Sequence, residues 1–522
     1  MAGRFKGWVQ RAVLISNLLG ALTAALGLAM LPSWIYAFVD QTADRDAFAT
    51  AMALCLGVGG LIFLVTRRAS TQIHVGHREG LLVVGLGWLT AGLVGGLPFY
   101  LYPIFADANL CSAGMQLVGS DFCAYTNAAF ESISGFTTTG ASIITDGLWG
   151  EPGLTPDGRP GLPRGILLWR AMTQFLGGMG LIVLGVAVLP LLGIGGMQLF
   201  KAEVPGPQAD KIAPRVGETA KLLWRVYLIL STVCFSLLLL GGLDSFEALT
   251  HTFATMSTGG FSTRATSVGG FQSGFIEWVI IVFMLLGGTN FALHFFALQR
   301  RPQVYWRDPE WRLYMVVVIV ATILVMVGLS RGNGLPDEAS SLRTSLFQVA
   351  SIITTTGFAS ADFETWSAAA TMTLVGLMFV GGMAGSTSGG FKVVRHLVLF
   401  KTWTRELFYL VHPGGIRPVR LGAKIVPPEI VRALAAFAAA YFTIMTMGTM
   451  LFVLDGLDLT TAFTCSVSSL GNIGPGLGDV GPYDNYAVLS AQSKWLSCLL
   501  MLLGRLELFT LLVILSPDFW RR

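Results

Sequence analysis

Long runs of apolar residues, separated by short polar connections, cover most of the chain. About ten runs reach the ~20 residues that a helix needs to cross the hydrocarbon core of a bilayer. They are predicted near residues 12–38, 48–66, 80–105, 164–198, 222–243, 275–299, 312–329, 368–400, 430–456 and 492–516. The pattern therefore predicts an all-α polytopic membrane protein.

Four stretches of small and hydroxylated residues interrupt this pattern, each between two long runs. They read SGFTTTGAS around Gly140, TMSTGGFST around Gly259, IITTTGFAS around Gly357 and LGNIGPGLG around Gly474. Each stretch follows a short, moderately apolar segment, and successive glycines lie 119, 98 and 117 residues apart. The unit of long run, short helix, glycine turn and long run therefore occurs four times, and two further runs precede the first unit.

A short segment between two such runs cannot cross the bilayer, but it can enter as a half-helix and return extended. Irregular backbone at membrane depth is tolerated only against protein or beside a water-filled cavity. Glycine permits dihedral angles that turn successive carbonyls the same way, and rings of carbonyls can replace the water shell of a cation. Alternatively, glycine and threonine ease helix packing, which explains one copy better than four copies at equivalent places.

These units predict the domain organisation. Residues 1–70 form two extra N-terminal transmembrane helices, and four pseudo-symmetric repeats of helix, pore loop and helix (M1–P-loop–M2) surround one pore. The repeats are expected at 71–205, 206–305, 306–410 and 411–522.

The distribution of charged residues predicts the orientation of the chain in the membrane. Soluble domains carry about 25% charged residues, whereas this chain is 12% charged and 53% hydrophobic. If both termini are cytoplasmic, 25 of the 34 basic residues fall in cytoplasmic connections, as the positive-inside rule requires. The positive charge is thereby explained by topology and anionic lipid headgroups, and no nucleic-acid partner is expected.

A second glycine-rich segment interrupts the run at 368–400. Five glycines fall within ten residues, and each weakens a helix by about 1 kcal/mol relative to alanine. We expect a broken helix with a mobile loop that gates the passage; close helix contact through small residues is the alternative. The gate residues are Gly381, Gly382, Gly385, Ser386, Thr387, Ser388, Gly389 and Gly390.

Arg505 lies inside the last apolar run, where a charge is costly and usually faces a cavity or a partner. We expect it to act with the glycine-rich loop as a positive barrier in the cation path. Two alternatives are a buried ion pair with a carboxylate such as Glu507 and snorkelling to the membrane surface.

Two further expectations concern the outer side. Cys111 and Cys123 share one outer loop and form a possible disulfide if that compartment oxidises thiols. Among the acidic residues near the glycine turns, Glu131 in the first short helix is the best single candidate for attracting cations to the mouth.

The chain resembles the Trk/Ktr/HKT superfamily of potassium transporters, and more closely the bacterial Trk-type membrane subunit. Besides the four turns, several strings carry the resemblance over nearly the whole chain. They are GGMGLIVLGVAVLPLLGIGGMQLFKAEVPGP (177–207), DKIAPRVGETAKLLW (210–224), GGTNFALHF (287–295), GGMAGSTSGGFKVVR (381–395) and GRLELFTLLVIL (504–515).

The resemblance, together with the carbonyl argument, implies an ion-binding filter made by main-chain groups. The filter residues are Thr138, Thr139, Gly140, Ser257, Thr258, Gly259, Thr355, Thr356, Gly357, Asn472, Ile473 and Gly474. Glycine at all four turns implies selectivity for K⁺, the ion carried, and no organic cofactor is expected in this chain. The fourth turn departs most from the others, so some sodium or rubidium passage is expected.

The resemblance also implies partners and a location. It implies a homodimer in the bacterial cytoplasmic (inner) membrane, in contact with membrane lipid. It further implies a cytosolic regulatory ring with NAD- and ATP-binding domains (TrkA-like) beneath the membrane subunit. No phosphate-binding loop occurs in this chain, so nucleotide control would have to come from another chain.

The leading function is channel-like potassium uptake. A K⁺/H⁺ or K⁺/Na⁺ symporter of the same fold is the alternative, because broken helices and a midplane charge also occur in carriers. A membrane-embedded enzyme would need clustered catalytic carboxylates or histidines, which the sequence does not offer. A purely structural scaffold would leave the repeated glycine turns unexplained.

Overall fold

The protein is described by a computed structural model covering residues 2–70, 77–106, 120–144, 161–183, 216–330, 338–422 and 424–520. These residues are almost entirely helical. Their only sheet pairs two antiparallel two-residue strands, β1 (Arg420–Leu421) and β2 (Lys424–Ile425).

The described residues up to Ala106 contain six α-helices that make three candidate spans. The helices are α1 (Ala2–Ala29), α2 (Leu31–Asp40), α3 (Asp44–Leu54), α4 (Gly60–Ser70), α5 (His77–Gly95) and α6 (Leu97–Ala106). A π-helical turn, Cys55–Gly59, joins α3 to α4. A methyl group on Gly59 would lie 2.7 Å from the backbone nitrogen of Ala24, so the first two spans approach closely through small residues.

The rest of the described chain continues one order of elements that starts with α5–α6 and occurs four times: a long helix, a short helix, an extended return segment and a second long element. Its helices are α7 (Tyr125–Phe136), α8 (Arg164–Val183), α9 (Val216–Leu240), α10 (Ser245–Met256), α11 (Gly274–Gly287), α12 (Phe291–Leu298), α13 (Gln303–Arg307), α14 (Pro309–Ser330), α15 (Glu338–Ile353), α16 (Ala368–Leu377), α17 (Val393–Val411), α18 (Pro428–Leu454), α19 (Leu459–Gly471), α20 (Ala491–Arg505), α21 (Phe509–Leu515) and α22 (Pro517–Trp520). The short helices are α7, α10, α15 and α19.

The described residues contain six candidate membrane spans, or up to eight if each of two bent helix pairs is one span. The six are Arg11–Asp40, Asp44–Arg67, Arg78–Ala106, Glu218–Leu240, Pro309–Ser330 and Pro428–Leu454. They coincide with six of the ten predicted runs. The predicted run 164–198 is described only as far as Val183, the end of α8.

Among the described residues, the second long element is interrupted in the second, third and fourth units. The run 368–400 breaks between α16 and α17, as the glycine pattern predicts. The runs 275–299 and 492–516, expected as continuous spans, bend by 103° between α11 and α12 and by 115° between α20 and α21. Asn290 caps α12 and starts it in a new direction, whereas Glu507 and Leu508 take positive φ values of 58° and 45° at the second bend.

Polarity is inverted relative to a soluble protein. The short helices are buried over most of their length, together with hydroxyl groups such as those of Thr137 and Thr354. The outer face of α14 exposes Val316, Ile319 and Ile323 by more than half. Apolar residues outside and polar residues at the centre are what a lipid environment around a polar core favours.

Candidate ion pathway

The four turns that end the short helices share one backbone conformation. In each, a non-glycine residue has a left-handed φ of 53–54° and the glycine two positions later has a positive φ of 80–105°. The pairs are Thr138 with Gly140, Thr258 with Gly260, Thr355 with Gly357, and Asn472 with Gly474. A left-handed conformation costs a non-glycine residue of order 1–3 kcal/mol, so its recurrence at four equivalent places indicates a common structural demand.

In the second turn, the backbone angles differ by one residue from the predicted alignment with the other turns. The sequence comparison placed Gly259 opposite Gly140, but the φ pattern makes Gly260 its counterpart. Gly259 instead occupies the position of Thr139, Thr356 and Ile473. Two consecutive glycines left this register ambiguous in the sequence, so Gly260 was missed.

The four turns close into a ring. A methyl group on each left-handed glycine would collide with the carbonyl oxygen of the neighbouring turn, in the order first, second, third, fourth and first again. The distances are 2.1 Å from Gly140 to Gly259, 1.9 Å from Gly260 to Thr356, 2.0 Å from Gly357 to Ile473 and 2.7 Å from Gly474 to Thr139. Only glycine leaves room for this approach. We call the carbonyl oxygens of Thr139, Gly259, Thr356 and Ile473 the carbonyl ring.

Three members of the carbonyl ring have no partner in the described protein. The carbonyl oxygens of Thr139, Thr356 and Ile473 accept no hydrogen bond from any described residue, although all three residues are fully buried. The hydroxyl groups of Thr139 and Thr356 are satisfied, because they bond to Thr137 at 2.8 Å and Thr354 at 2.7 Å. Since buried carbonyls are normally paired, these three oxygens have unused acceptor capacity.

The ring is not fourfold symmetric. The carbonyl oxygen of Gly259 accepts a hydrogen bond of 2.6 Å from Nε2 of Gln174, whose Oε1 in turn accepts one from the backbone N–H of Phe261. In the fourth turn, the carbonyl oxygen of Gly474 accepts hydrogen bonds from Ser468 and Tyr486. The expected asymmetry is therefore present, although Gln174 gave no sequence signal because it lies 85 residues from its partner.

Of the four side chains that stand nine positions before the ring glycines, the first three hydrogen-bond to their return segments, whereas the fourth contacts Ser497 on α20. The four are Glu131, His251, Gln348 and Cys465. Glu131 is fully buried; it accepts hydrogen bonds from Arg170 Nε (2.7 Å), Ser142 Oγ (3.0 Å) and the N–H of Ile143 (2.9 Å). The prediction that Glu131 attracts cations at the mouth is therefore wrong, because its carboxylate is buried and paired with Arg170.

An acidic group does lie beside the fourth return segment. Glu364 Oε1 accepts a hydrogen bond from the N–H of Gly478. Partial burial, and then the neighbouring carboxylates of Asp362, Asp484 and Asp479, raise the pKa of Glu364.

The glycine loop, residues 381–390, packs against the turns. The N–H of Gly389 donates to Thr355 Oγ1 over 2.7 Å, and the hydroxyls of Thr258 and Thr387 lie 3.3 Å apart. A methyl group on Gly389 would lie 2.7 Å from the carbonyl oxygen of Gly471. The loop thus contacts the second, third and fourth turns.

Glu310 anchors the glycine loop and the first turn of α17 by hydrogen bonds. The sequence did not reveal this role. Glu310 Oε1 accepts hydrogen bonds from the N–H groups of Ala384 (2.8 Å) and Val394 (3.1 Å), and its side chain is fully buried. An acidic residue in the first turn of an apolar helix is ordinary, so the sequence carries no signal for this role.

Arg505 joins the loop to the first repeat. Its Nη1 donates to the carbonyl oxygen of Thr387 (2.8 Å) and its Nη2 to that of Gly177 (3.2 Å). The side chain is 1% exposed, which excludes snorkelling. It pairs with no carboxylate in the part of the chain that the structure describes. Glu507 pairs with Arg395 instead, so the alternative of an Arg505–Glu507 ion pair is wrong.

The cysteine prediction falls partly outside the described residues, because Cys111 lies in a gap. Cys123 ends the short turn Ser120–Cys123 and is disulfide-bonded. The other described cysteines are buried free thiols. The pairing with Cys111 stays a prediction.

Comparison with known proteins agrees with this arrangement. The family model for TrkH, described as a cation transport protein, matches residues 109–522. The chain is 39% identical over 510 residues to the Trk system potassium uptake protein TrkH of Salmonella typhimurium, with 97% of this chain and 99% of that protein covered. It is 32% identical over 513 residues to the Trk system potassium uptake protein TrkG of Escherichia coli, with 97% and 98% covered.

A solved structure gives the same result. The crystal structure of the potassium transporter TrkH from Vibrio parahaemolyticus matches with a TM-score of 0.84 at 34% identity, covering 98% of this chain and 99% of that chain. The all-α polytopic fold class predicted from the sequence is thereby confirmed, as is the resemblance to the Trk-type transporters. The chain belongs to the TrkH family of cation transport proteins, and it is a transporter rather than an enzyme.

Proposed function

We propose that the chain takes up potassium across the bacterial cytoplasmic membrane through a channel-like passage centred on the carbonyl ring. The observation that carries the proposal is the set of buried, unpaired carbonyl oxygens of Thr139, Thr356 and Ile473. Leaving one buried acceptor unpaired costs about 1–3 kcal/mol. A dehydrated cation at the centre offsets that cost, because peptide oxygens replace its hydration shell.

Potassium is the ion that the relatives' names indicate, since the similar proteins are called potassium uptake proteins. Glycine at all four left-handed ring positions, with Gly260 in the second turn, keeps the same backbone geometry around the ring. The ion-binding residues of the proposal are therefore those predicted from the sequence, with Gly260 added.

The glycine loop and Arg505 act as the gate. The loop lies directly inside three of the four turns, and the Arg505 guanidinium holds it through the carbonyl of Thr387. A positive charge that is 1% exposed and unpaired among the described carboxylates repels a cation strongly at low dielectric. Conduction then requires the loop to leave the turns and the Arg505–Thr387 hydrogen bond to break.

Regulation comes from a cytosolic nucleotide-binding ring beneath a membrane homodimer whose termini are cytoplasmic. The last residues of α17 and the residues that follow it expose large apolar side chains: Leu410 by 79%, Val411 by 73% and Ile416 by 94%. Such exposure on a connection predicted to be cytoplasmic favours a protein partner there.

The test is growth at low potassium in a bacterium without potassium uptake, comparing Gly140→Ala with Gly242→Ala. Both glycines have positive φ, 81° and 93°, so both substitutions carry the same backbone strain. Only the methyl group at 140 meets a ring carbonyl; nothing lies within 4 Å at 242. We expect rescue by the parent and by Gly242→Ala, but not by Gly140→Ala.

Equal rescue by both variants, at equal expression, would remove the filter assignment. Current recordings in a planar bilayer distinguish the proposed channel from the alternative symporter, because a channel gives unitary current steps and a carrier does not.

A further inference from the structure

A cavity of about 330 Å³ lies between α1, α5 and the C-terminal helix α22. Its lining joins the first helix of the chain, the first helix of repeat 1 and the last residues of repeat 4. It has a charged end and an apolar end, and none of the functional residues discussed above lines it.

The charged end carries two arginines and one carboxylate. Arg11 Nε pairs with Glu79 Oε1 at 2.8 Å. Arg78 has no carboxylate partner in the described part of the chain; its Nη1 donates to the backbone carbonyl of Phe519 over 3.1 Å, and its guanidinium carbon lies 5.8 Å from the Phe519 ring centroid. The charged end therefore has an excess positive charge.

Both arginines stand at one membrane boundary. Arg11 and Arg78 lie just before the apolar runs predicted near residues 12–38 and 80–105. By the distribution of basic residues, this boundary is the cytoplasmic one. Trp520 also lines the cavity, and tryptophan is enriched at membrane interfaces.

The apolar end follows the same two helices away from that boundary. Ile15 and Leu19 continue along α1 at one and two turns from Arg11, and Leu82 and Leu86 do the same from Arg78 on α5. At 1.5 Å per residue, eight residues reach about 12 Å into the hydrocarbon. The cavity thus has a basic head and an apolar tail in the orientation of a lipid in the inner leaflet.

We propose that this cavity binds an anionic phospholipid, with the phosphate on Arg78 and Arg11 and an acyl chain between α1 and α5. The excess positive charge favours an anionic headgroup over a zwitterionic one, and the cytoplasmic leaflet supplies anionic lipids. The apolar lining favours a lipid over a soluble phosphate compound. A bound lipid would join the C-terminal residues Phe519 and Trp520 to the N-terminal helices.

The experiment uses the purified full chain in detergent, titrated with phosphatidylglycerol or phosphatidylcholine carrying brominated acyl chains that quench tryptophan fluorescence. We expect a saturable quenching phase with phosphatidylglycerol at lower lipid concentration than with phosphatidylcholine. The phase should disappear in Trp520→Phe, which leaves the rest of the cavity in place.

Arg78→Gln should raise the phosphatidylglycerol concentration for half-saturation at least about fivefold. That factor is the contribution of one basic residue to the affinity for an anionic membrane surface. Arg45→Gln is the matched control, because Arg45 is an exposed arginine paired with its neighbour Asp46 away from this cavity. Leu82→Phe keeps both arginines but fills the apolar end, and it should weaken the same phase.

Equal titrations with the two lipids would overturn the proposal, as would an unchanged phosphatidylglycerol phase in both Arg78→Gln and Leu82→Phe. Displacement of the phase by millimolar glycerol 3-phosphate would also overturn it, by assigning the basic end to a soluble phosphate.

Discussion

The guanidinium group of Arg505 donates a hydrogen bond of 2.8 Å to the carbonyl oxygen of Thr387, at the centre of the glycine loop. The same group reaches the carbonyl of Gly177 on α8. One buried side chain of the last repeat therefore connects the loop of the third repeat to a helix of the first.

Arg505→Ala should raise potassium flux, because it removes both the positive charge and the link that holds the loop. Rubidium uptake into cells, or single-channel open probability, measures the effect. Arg45→Ala, which removes an exposed arginine far from the pathway, serves as the control and should leave uptake unchanged. Unchanged or lower flux in Arg505→Ala at normal expression would contradict the barrier role.

Glu310→Ala should loosen the glycine loop and raise basal flux. It leaves the N–H groups of Ala384 and Val394 without their acceptor, at about 1–3 kcal/mol for each unpaired buried group. Glu310→Gln keeps an acceptor oxygen and should have a smaller effect in both uptake and thermal unfolding. Glu429→Ala, which removes an exposed carboxylate, is the control. Equal flux in Glu310→Ala and the parent would argue against loop anchoring.

Flux should fall as the external pH is lowered through the raised pKa of Glu364. Burial and neighbouring carboxylates raise that pKa, so the group becomes neutral at a higher pH than an ordinary glutamate. A neutral group attracts cations less, which lowers the local potassium concentration.

Glu364→Gln should remove this pH dependence. Asp455→Asn should keep it, because hydrogen bonds from Ser490 and Ser493 lower the pKa of Asp455 and leave it ionised. Uptake measured against external pH tests the pair. A parent profile that is retained in Glu364→Gln would exclude Glu364 as its source.

Gln174→Leu should reduce the preference for potassium over sodium. The side chain clamps the second return segment, donating to the carbonyl of Gly259 and accepting from the N–H of Phe261. Without the clamp, the Gly259 carbonyl is as unpaired as the other three, and its glycine backbone is more flexible than that of Thr139, Thr356 or Ile473. Reversal potentials under bi-ionic conditions measure the change, with Gln41→Leu, at an exposed site outside the ring, as the control. An unchanged reversal potential would show that the clamp does not set selectivity.

The parts of the site that the sequence predicted depend on local patterns. The four turns follow from residues adjacent in the chain, such as Thr138 and Gly140, and the break after α16 follows from a dense run of glycines. The second turn was misaligned because Gly259 and Gly260 are indistinguishable without backbone angles.

Long-range partnerships could not be predicted. Glu310 and Ala384 are 74 residues apart, and Arg395 and Glu507 are 112 apart. Each partner looks ordinary in its own helix, and the choice is made by three-dimensional packing. The bend after Arg505 has the same origin, because Glu507 and Leu508 belong to no recognisable turn sequence.

The ring has a consequence for biosynthesis, because its last member contacts its first. Asn472 Nδ2 donates to Thr139 Oγ1 over 3.0 Å, although 333 residues separate them. A nascent chain that stops before the fourth turn has only three of the four turns, and the ring stays open. The ring can therefore close only after the fourth turn has been synthesised, so its geometry depends on the last part of the chain.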